Sequence, residues 1–237
     1  MTIFRFALLR GTRNPLTLLC TYILPIALIL IRPLWTGEDS GLGGLFGGGG
    51  FSLLTVVTMS SAYLMSLSIL ADKADGAIVR ILAAPISMRR YLTENLAACA
   101  VPLLVQMTLI SILGHVLYDW SATLSIAVFL CYTVLTLASV TMAFAWHCLF
   151  KGKEGSVVGF SMILFLTAFL GGLTFPVEAF PGPLQYVGAI FPAYWALRGL
   201  GAVLEMGAMD GQFWLAIAAM LLFAVAYLLY GGKRRLV

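Results

Sequence analysis

Polar positions are scarce along this chain and fall in clusters, leaving six uninterrupted apolar runs at about residues 16–35, 51–71, 96–117, 124–150, 156–173 and 213–230. Each run can form a helix of roughly 20 residues, the length that crosses a hydrocarbon core about 30 Å thick. Strands of a membrane barrel would alternate apolar and polar positions, which these runs do not do. The pattern therefore predicts an all-α integral membrane protein with six transmembrane helices. The fourth run is long enough to imply tilt or an interfacial extension.

Composition agrees. Of 237 residues, 61% are apolar and only 10% are charged. Soluble domains carry about 25% charged residues, so this chain cannot clothe a water-facing exterior of its size. A nucleic-acid-binding domain, a disordered chain and a disulfide-stapled secreted module are disfavoured on the same ground, although the pI is near 9.0.

The placement of cations predicts sidedness, because Lys and Arg in short loops stay cytoplasmic. With the N-terminus inside, twelve of the 14 basic residues face the cytoplasm: Arg5, Arg10, Arg13, Lys73, Arg80, Arg89, Arg90, Lys151, Lys153, Lys233, Arg234 and Arg235. Arg32 and Arg198 fall outside. The expected topology is multi-pass in the plasma (inner) membrane, with both termini cytoplasmic. The first run is too long for a signal-peptide core and lacks a small-residue cleavage site, so it is expected to remain as an anchor. Residues 1–15 mix Ile3, Phe4, Phe6, Leu8 and Leu9 with three arginines. A short helix in the inner interface and a plain basic flank both account for that mixture.

Membrane enzymes and ion-driven carriers keep ionisable groups at membrane depth, where such groups are costly. Here Arg32 and His115 fall near outer span ends, and Glu94 and His147 near inner ends, where side chains can snorkel. Gln106 is the most deeply placed strongly polar residue and reads as an interhelical hydrogen-bonding group. Thr55, Thr58, Ser60, Ser61, Ser66 and Ser68 suit either a polar path or close helix packing, and packing is favoured. Cys20, Cys99, Cys131 and Cys148 lack metal-ligand spacing and read as small core residues. Gly47–Gly50 is not followed by Lys-Ser or Lys-Thr, so it is no phosphate loop and makes a flexible outer connector. No catalytic residues, cofactor or metal site can be assembled, and the chain is not expected to be an enzyme. Its driving force must come from another polypeptide, or transport must be passive.

Two segments carry more information. The inner loop 72–95, DKADGAIVRILAAPISMRRYLTEN, has Ile78, Ile81 and Leu82 at helical spacing, so it can continue the second span as an amphipathic extension. Pro85 stops that helix, and Ser87 can cap a second short one through Arg89, Arg90 and Tyr91. Such a helix, break and helix makes a stiff knob able to transmit force from a docked protein. The outer segment 174–207 is too apolar for a solvated loop, yet Pro176, Pro181, Pro183 and Pro192 cut it too short to cross. Re-entrant or interfacial helices satisfy both facts. Glu178 and Arg198 read there as an exposed interfacial pair.

In this arrangement the chain resembles an ABC-2 type exporter permease. The resemblance rests on the basic N-terminal helix, the six spans, the inner pattern Asp72, Asp75, Gly76, Pro85, Ile86, Ser87, and the outer pattern Phe175, Pro176, Glu178, Pro181, Phe191, Pro192, Tyr194. It covers essentially the whole chain as a single transmembrane domain, 1–237. It implies an N-terminal elbow helix, a coupling helix in the 72–95 loop around Ser87 to Asn95, and a separate ATP-binding-cassette subunit holding ATP and magnesium. Contact with that subunit would fall to Asp72, Asp75, Arg80, Ser87, Arg89, Arg90, Tyr91 and Glu94. The resemblance further implies dimerisation through the first and fifth spans, where Gly155 and Gly159 form a small-xxx-small pair. Outer re-entrant helices would close the exit, with Phe175, Glu178, Phe191, Tyr194 and Arg198 as gate residues.

The expected function is an efflux permease for an amphiphilic cargo such as a drug, peptide or lipid-linked molecule. It would work as a homodimer, or with a similar permease, among membrane lipids and without nucleic acid. A passive channel or secondary carrier is the first rival and predicts transport by this chain alone. A non-transporting immunity or assembly subunit is the second and predicts no cargo-stimulated ATPase in any complex.

Overall fold

The computed structural model describes residues 2–31, 51–77, 88–150, 152–172 and 186–233. Every regular element among them is helical: α1 (Thr2–Arg13), α2 (Pro15–Ile31), α3 (Phe51–Ala74), α4 (Met88–Tyr118), α5 (Ala122–Leu149), α6 (Lys153–Leu170), α7 (Pro192–Met206) and α8 (Gly211–Lys233). Five of these, α3, α4, α5, α6 and α8, are long and apolar enough to cross a membrane. They coincide with the second, third, fourth, fifth and sixth predicted runs. The first run begins in α2, whose described part ends at Ile31; α1 and α2 meet at a bend of 80°.

That bend has a local cause. Asn14 leaves the helix in an extended conformation and its Oδ1 accepts the Leu16 N–H, while Pro15 occupies the first helical position, where no N–H is needed. Within α2 the ladder widens to a π-turn over Leu19–Ile23, just before Pro25. Proline's missing donor and ring clash favour such a local rearrangement.

The central helix is α5. It packs on α3, α4, α7 and α8, and its apolar positions Cys131, Tyr132, Leu135, Ala143 and Phe144 are all buried. Helix α6 is the opposite case, because it leans mainly on α3 and leaves Val158, Met162 and Phe165 65–71% exposed. The bundle has two unlike ends. One gathers α1, the end of α3, the starts of α4 and α6, and the ends of α5 and α8. The other holds the α4–α5 turn and α7. With 15 residues, α7 is about 22 Å long, short of the roughly 30 Å needed to cross. It packs against α8 and α5 instead. Among described side chains, the cations Arg5, Arg10, Arg13, Lys73, Arg90 and Lys153 lie at the α1 end, and Arg198 at the other.

The loop after α3 departs from expectation. Helix α3 ends at Ala74, and Gly76 turns the chain with a left-handed φ of 64°, so the predicted continuous extension is interrupted there. Helical backbone resumes at Ala77, while residues 78–87, including Arg80, Pro85 and Ser87, lie outside the described residues. Nor is there a separate short helix around Arg89 to Tyr91. Those residues form the first turn of α4, which runs unbroken through Pro102 to Tyr118.

The turn between α4 and α5 is tight. Asp119 takes a φ of 49°, Ser121 caps α5 through the Leu124 N–H, and the Trp120 ring folds against Gly114. A Cβ at Gly114 would lie 2.3 Å from that ring. Gly114→Ala is therefore expected to destabilise the protein by about 1–3 kcal/mol through overpacking. Gly201→Ala, in open space inside α7, should instead be neutral or stabilising by up to about 1 kcal/mol. Thermal unfolding of both variants in detergent measures the contrast, and equal midpoints would show that Trp120 is free to swing away.

Candidate functional site

Two polar networks occupy the α1 end, and both are anchored on the last turns of α3. The first joins α1, α3 and α4. Arg10, near the end of α1, donates through Nη1 and Nη2 to the two oxygens of Asp72 at 2.6 and 3.0 Å. Its Nη2 also donates to the Ser68 carbonyl at 3.0 Å, which holds the guanidinium across the α3 backbone. Tyr91 donates to Asp72 Oδ2 at 2.7 Å from the first turn of α4. Bidentate, charge-assisted bonds of this kind are shorter and stronger than neutral ones. The Asp72 hydrogen bond holds the Arg10 guanidinium above its ordinary pKa.

Glu94, one turn along α4, closes the other side. It accepts the Phe4 N–H at 3.0 Å and Arg90 Nε at 2.8 Å. The Phe4 N–H is one of the groups a helix start leaves without an internal partner, so Glu94 caps α1 from another helix and complements its dipole. Asp72 and Glu94, on either side of residues 75–87, are thus both bonded to α1, and Tyr91 ties α4 to Asp72.

The second network joins α3, α5 and α6. His147 Nε2 lies 2.8 Å from Ser66 Oγ, and its Nδ1 lies 3.3 Å from Ser156 Oγ at the start of α6. Tyr63 shares Ser156 Oγ at 3.0 Å, and Trp146 Nε1 donates to the Ser156 carbonyl at 3.0 Å. The Tyr63 ring stacks on Phe160 with centroids 3.9 Å apart. Lys73 donates to the His147 and Phe150 carbonyls at 3.2 and 3.1 Å, satisfying the open C-terminus of α5.

These contacts reassign several expected roles. Tyr91 is only 1% exposed, with its hydroxyl spent on Asp72, so it is turned into the chain and away from an external partner. His147 does not snorkel: it is fully buried between two serines. Gly159 packs within the chain, where a Cβ would meet Trp146 at 2.7 Å and Phe150 at 3.2 Å, whereas Gly155 is exposed and a Cβ there would make only an ordinary contact with Phe150. Asp75 and Arg90 stay exposed, and Arg89 stands beside Arg90 in the first turn of α4.

The proposed hydroxyl path is occupied by local bonds. Thr55, Thr58 and Ser60 donate to the carbonyls of Phe51, Leu54 and Val56 in their own helix, and Ser61 to Cys20 of α2. Packing, not a polar route, accounts for them. Gln106 is 1% exposed, yet neither amide atom has a partner among the described residues, contrary to the interhelical bond expected of it. At the other end, Phe191 precedes α7 in an extended conformation, and Arg198 donates to Tyr194 Oη at 2.8 Å. Phe175 and Glu178 lie outside the described residues, and with them the expected Glu178–Arg198 pair.

Sequence reasoning did not find Tyr63, Lys73, Trp146 or Ser156 as a unit. The available signal was a buried-side histidine with hydroxyls at helical spacing on another span, which specifies no partner by itself. No group of three or more His, Cys, Asp or Glu side chains able to hold a metal occurs among the described residues.

A family model described as ABC-2 family transporter protein matches residues 31–232. No curated protein matches the chain.

The Arg10–Asp72 pair is expected to couple more strongly than an exposed ion pair, since the buried Tyr91 hydroxyl shares the carboxylate. A double-mutant cycle of Arg10→Ala and Asp72→Ala, read by unfolding in detergent, should exceed the roughly 1 kcal/mol ceiling of surface pairs. Tyr91→Phe alone should cost about 1 kcal/mol. Zero coupling would show that water already screens the pair.

Proposed function

The chain belongs to the ABC-2 family of transporter proteins, and from that membership we propose that it is the permease of an ATP-driven exporter, working as two copies above two ATP-binding-cassette subunits. Membership implies a multi-pass transport subunit that associates with such an ATPase. The finer reading is supported by one observation above all: Asp72 and Glu94, on either side of residues 75–87, are both bonded to α1, and Tyr91 ties α4 to Asp72. A force applied at that segment reaches α1, α3 and α4 together. The His147 network, sharing α3, extends the connection to α5 and α6.

The α1 end faces the cytoplasm in this reading, because six described cations gather there and one lies opposite. The α1–α2 pair then supplies the elbow helix and the start of a sixth span in the plasma membrane, with both termini inside. Arg89, Arg90 and Asp75, together with Arg80 and Ser87, form the docking surface for the ATPase, which carries ATP and magnesium. Two copies meet through the outward faces of α2 and α6, where Ile23, Val158, Met162 and Phe165 are 61–71% exposed. Helix α7 and the segment before it, with Phe191, Tyr194 and Arg198, close the outer exit. The apolar span faces suit an amphiphilic cargo: a drug, a peptide or a lipid-linked molecule.

In the reconstituted complex, Arg89→Glu with Arg90→Glu should reduce cargo movement by about tenfold or more, since like charges set against a partner cost several kcal/mol. Basal ATP hydrolysis and membrane insertion should stay near wild type. The single Arg89→Glu leaves the Arg90–Glu94 bond in place and should still impair transport, which separates docking from local unfolding. Unchanged transport in both variants removes this end of α4 from the mechanism. Uphill transport by the chain alone in liposomes would overturn the ATP-driven reading.

A further inference from the structure

The elbow holds a second feature beside the bonds that tie α1 to α3 and α4. Between α1 and the facing ends of α3 and α4 lies a cavity of about 480 Å³, within the size range of small-molecule sites. Ile3, Phe6 and Ala7 contribute apolar lining, while Arg10, Asp72 and Asn95 contribute polar lining. Phe6 is 72% exposed and continues the apolar surface of α1 outward.

Two observations specify an occupant. The first is charge: α1 carries three arginines and no acid, and the Arg10 side chain remains 46% exposed in spite of its bond to Asp72. The second is an orphaned acceptor. Asn95 is 1% exposed and its Nδ2 donates to the Tyr91 carbonyl at 2.9 Å, but its Oδ1 has no donor among the described residues. An unpaired buried acceptor is costly, and a donor brought by a ligand would relieve it.

We propose that this cavity binds the headgroup of one membrane phospholipid that carries a hydrogen-bond donor beside its phosphate. The phosphate meets the outer edge of Arg10, the headgroup donor satisfies Asn95 Oδ1, and the glycerol and first methylenes lie along Ile3 and Phe6. Phosphatidylethanolamine has the required N–H groups. Phosphatidylcholine has the same phosphate but a trimethylated nitrogen with no N–H, so the two lipids isolate the Asn95 contribution. Lipid binding is read on the permease itself, and so stands or falls apart from ATP coupling.

The test is native mass spectrometry of the full chain in detergent with equal amounts of the two lipids. Wild type should retain one phosphatidylethanolamine in preference to phosphatidylcholine by about tenfold, the effect of one hydrogen bond to a charged donor. Asn95→Leu should abolish the preference while still folding, because it removes an unsatisfied polar group. Ala7→Trp, which carries bulk into the cavity from α1, should abolish retention of either lipid, and an unchanged unfolding midpoint should show that the Arg10–Asp72–Tyr91 bonds survive. Inorganic phosphate at the same concentration should displace nothing. Equal retention of the two lipids by wild type, a preference that survives Asn95→Leu, undiminished retention by Ala7→Trp, or displacement by phosphate would each overturn the proposal.

Discussion

An uncompensated polar group away from water costs several times what a bonded one contributes, and at the α1 end of this protein that constraint is met almost entirely by one helix terminus. The later turns of α3 present Tyr63, Ser66, Ser68, Asp72 and Lys73, whose partners lie on α6, α5, α1, α4 and the end of α5. Four helices are therefore held by one. Apolar contacts alone would not do this, because lipid tails compete with side chains for the same surfaces. Polar bonds have directions and partners, so they set the relative positions of the helix ends.

The opposite end is organised differently. There α7 fills the space beside α5 and α8 with small and branched residues, Ala193, Ala196, Gly199, Leu200 and Val203. Gly199 allows the closest approach, since a Cβ there would lie 2.9 Å from that of Ala216. One end is thus a bonded base and the other a packed top. Helix α6 is fastened at its start through Ser156 and Phe160, and beyond that presents Met162, Phe165 and Phe169 outward. Of the spanning helices it has the smallest share of its apolar stretch buried within the chain, 17%.

Much of this was legible beforehand, and the reason differs from residue to residue. The five long helices were visible because the length of an apolar run is a local property that a bilayer reads directly. Asp72, Tyr91 and Glu94 were assigned to external contact by the family resemblance. Their partners lie 62, 19 and 90 positions away, separations that no local pattern encodes. Gly159 illustrates the same gap: its spacing from Gly155 could not show that the side chains crowding it are Trp146 and Phe150 of the same chain. The interruption at Gly76 was hidden because helical spacing continues on either side of a residue that only the folded backbone shows to be left-handed.

Sequence alone thus determined the solvent, the helical class, the positions of the long helices and the clustering of cations that marks one side, because each follows from composition or from spacing of fewer than thirty residues. The tertiary structure alone decided which polar groups meet. It buried His147 between Ser66 and Ser156, turned Glu94 onto the start of α1, and left Gln106 and the Asn95 oxygen without partners among the described residues. The physical reason is that hydrogen bonds are short-ranged and directional. Their pairing is settled only once helices distant in sequence have been brought within about 3 Å of one another.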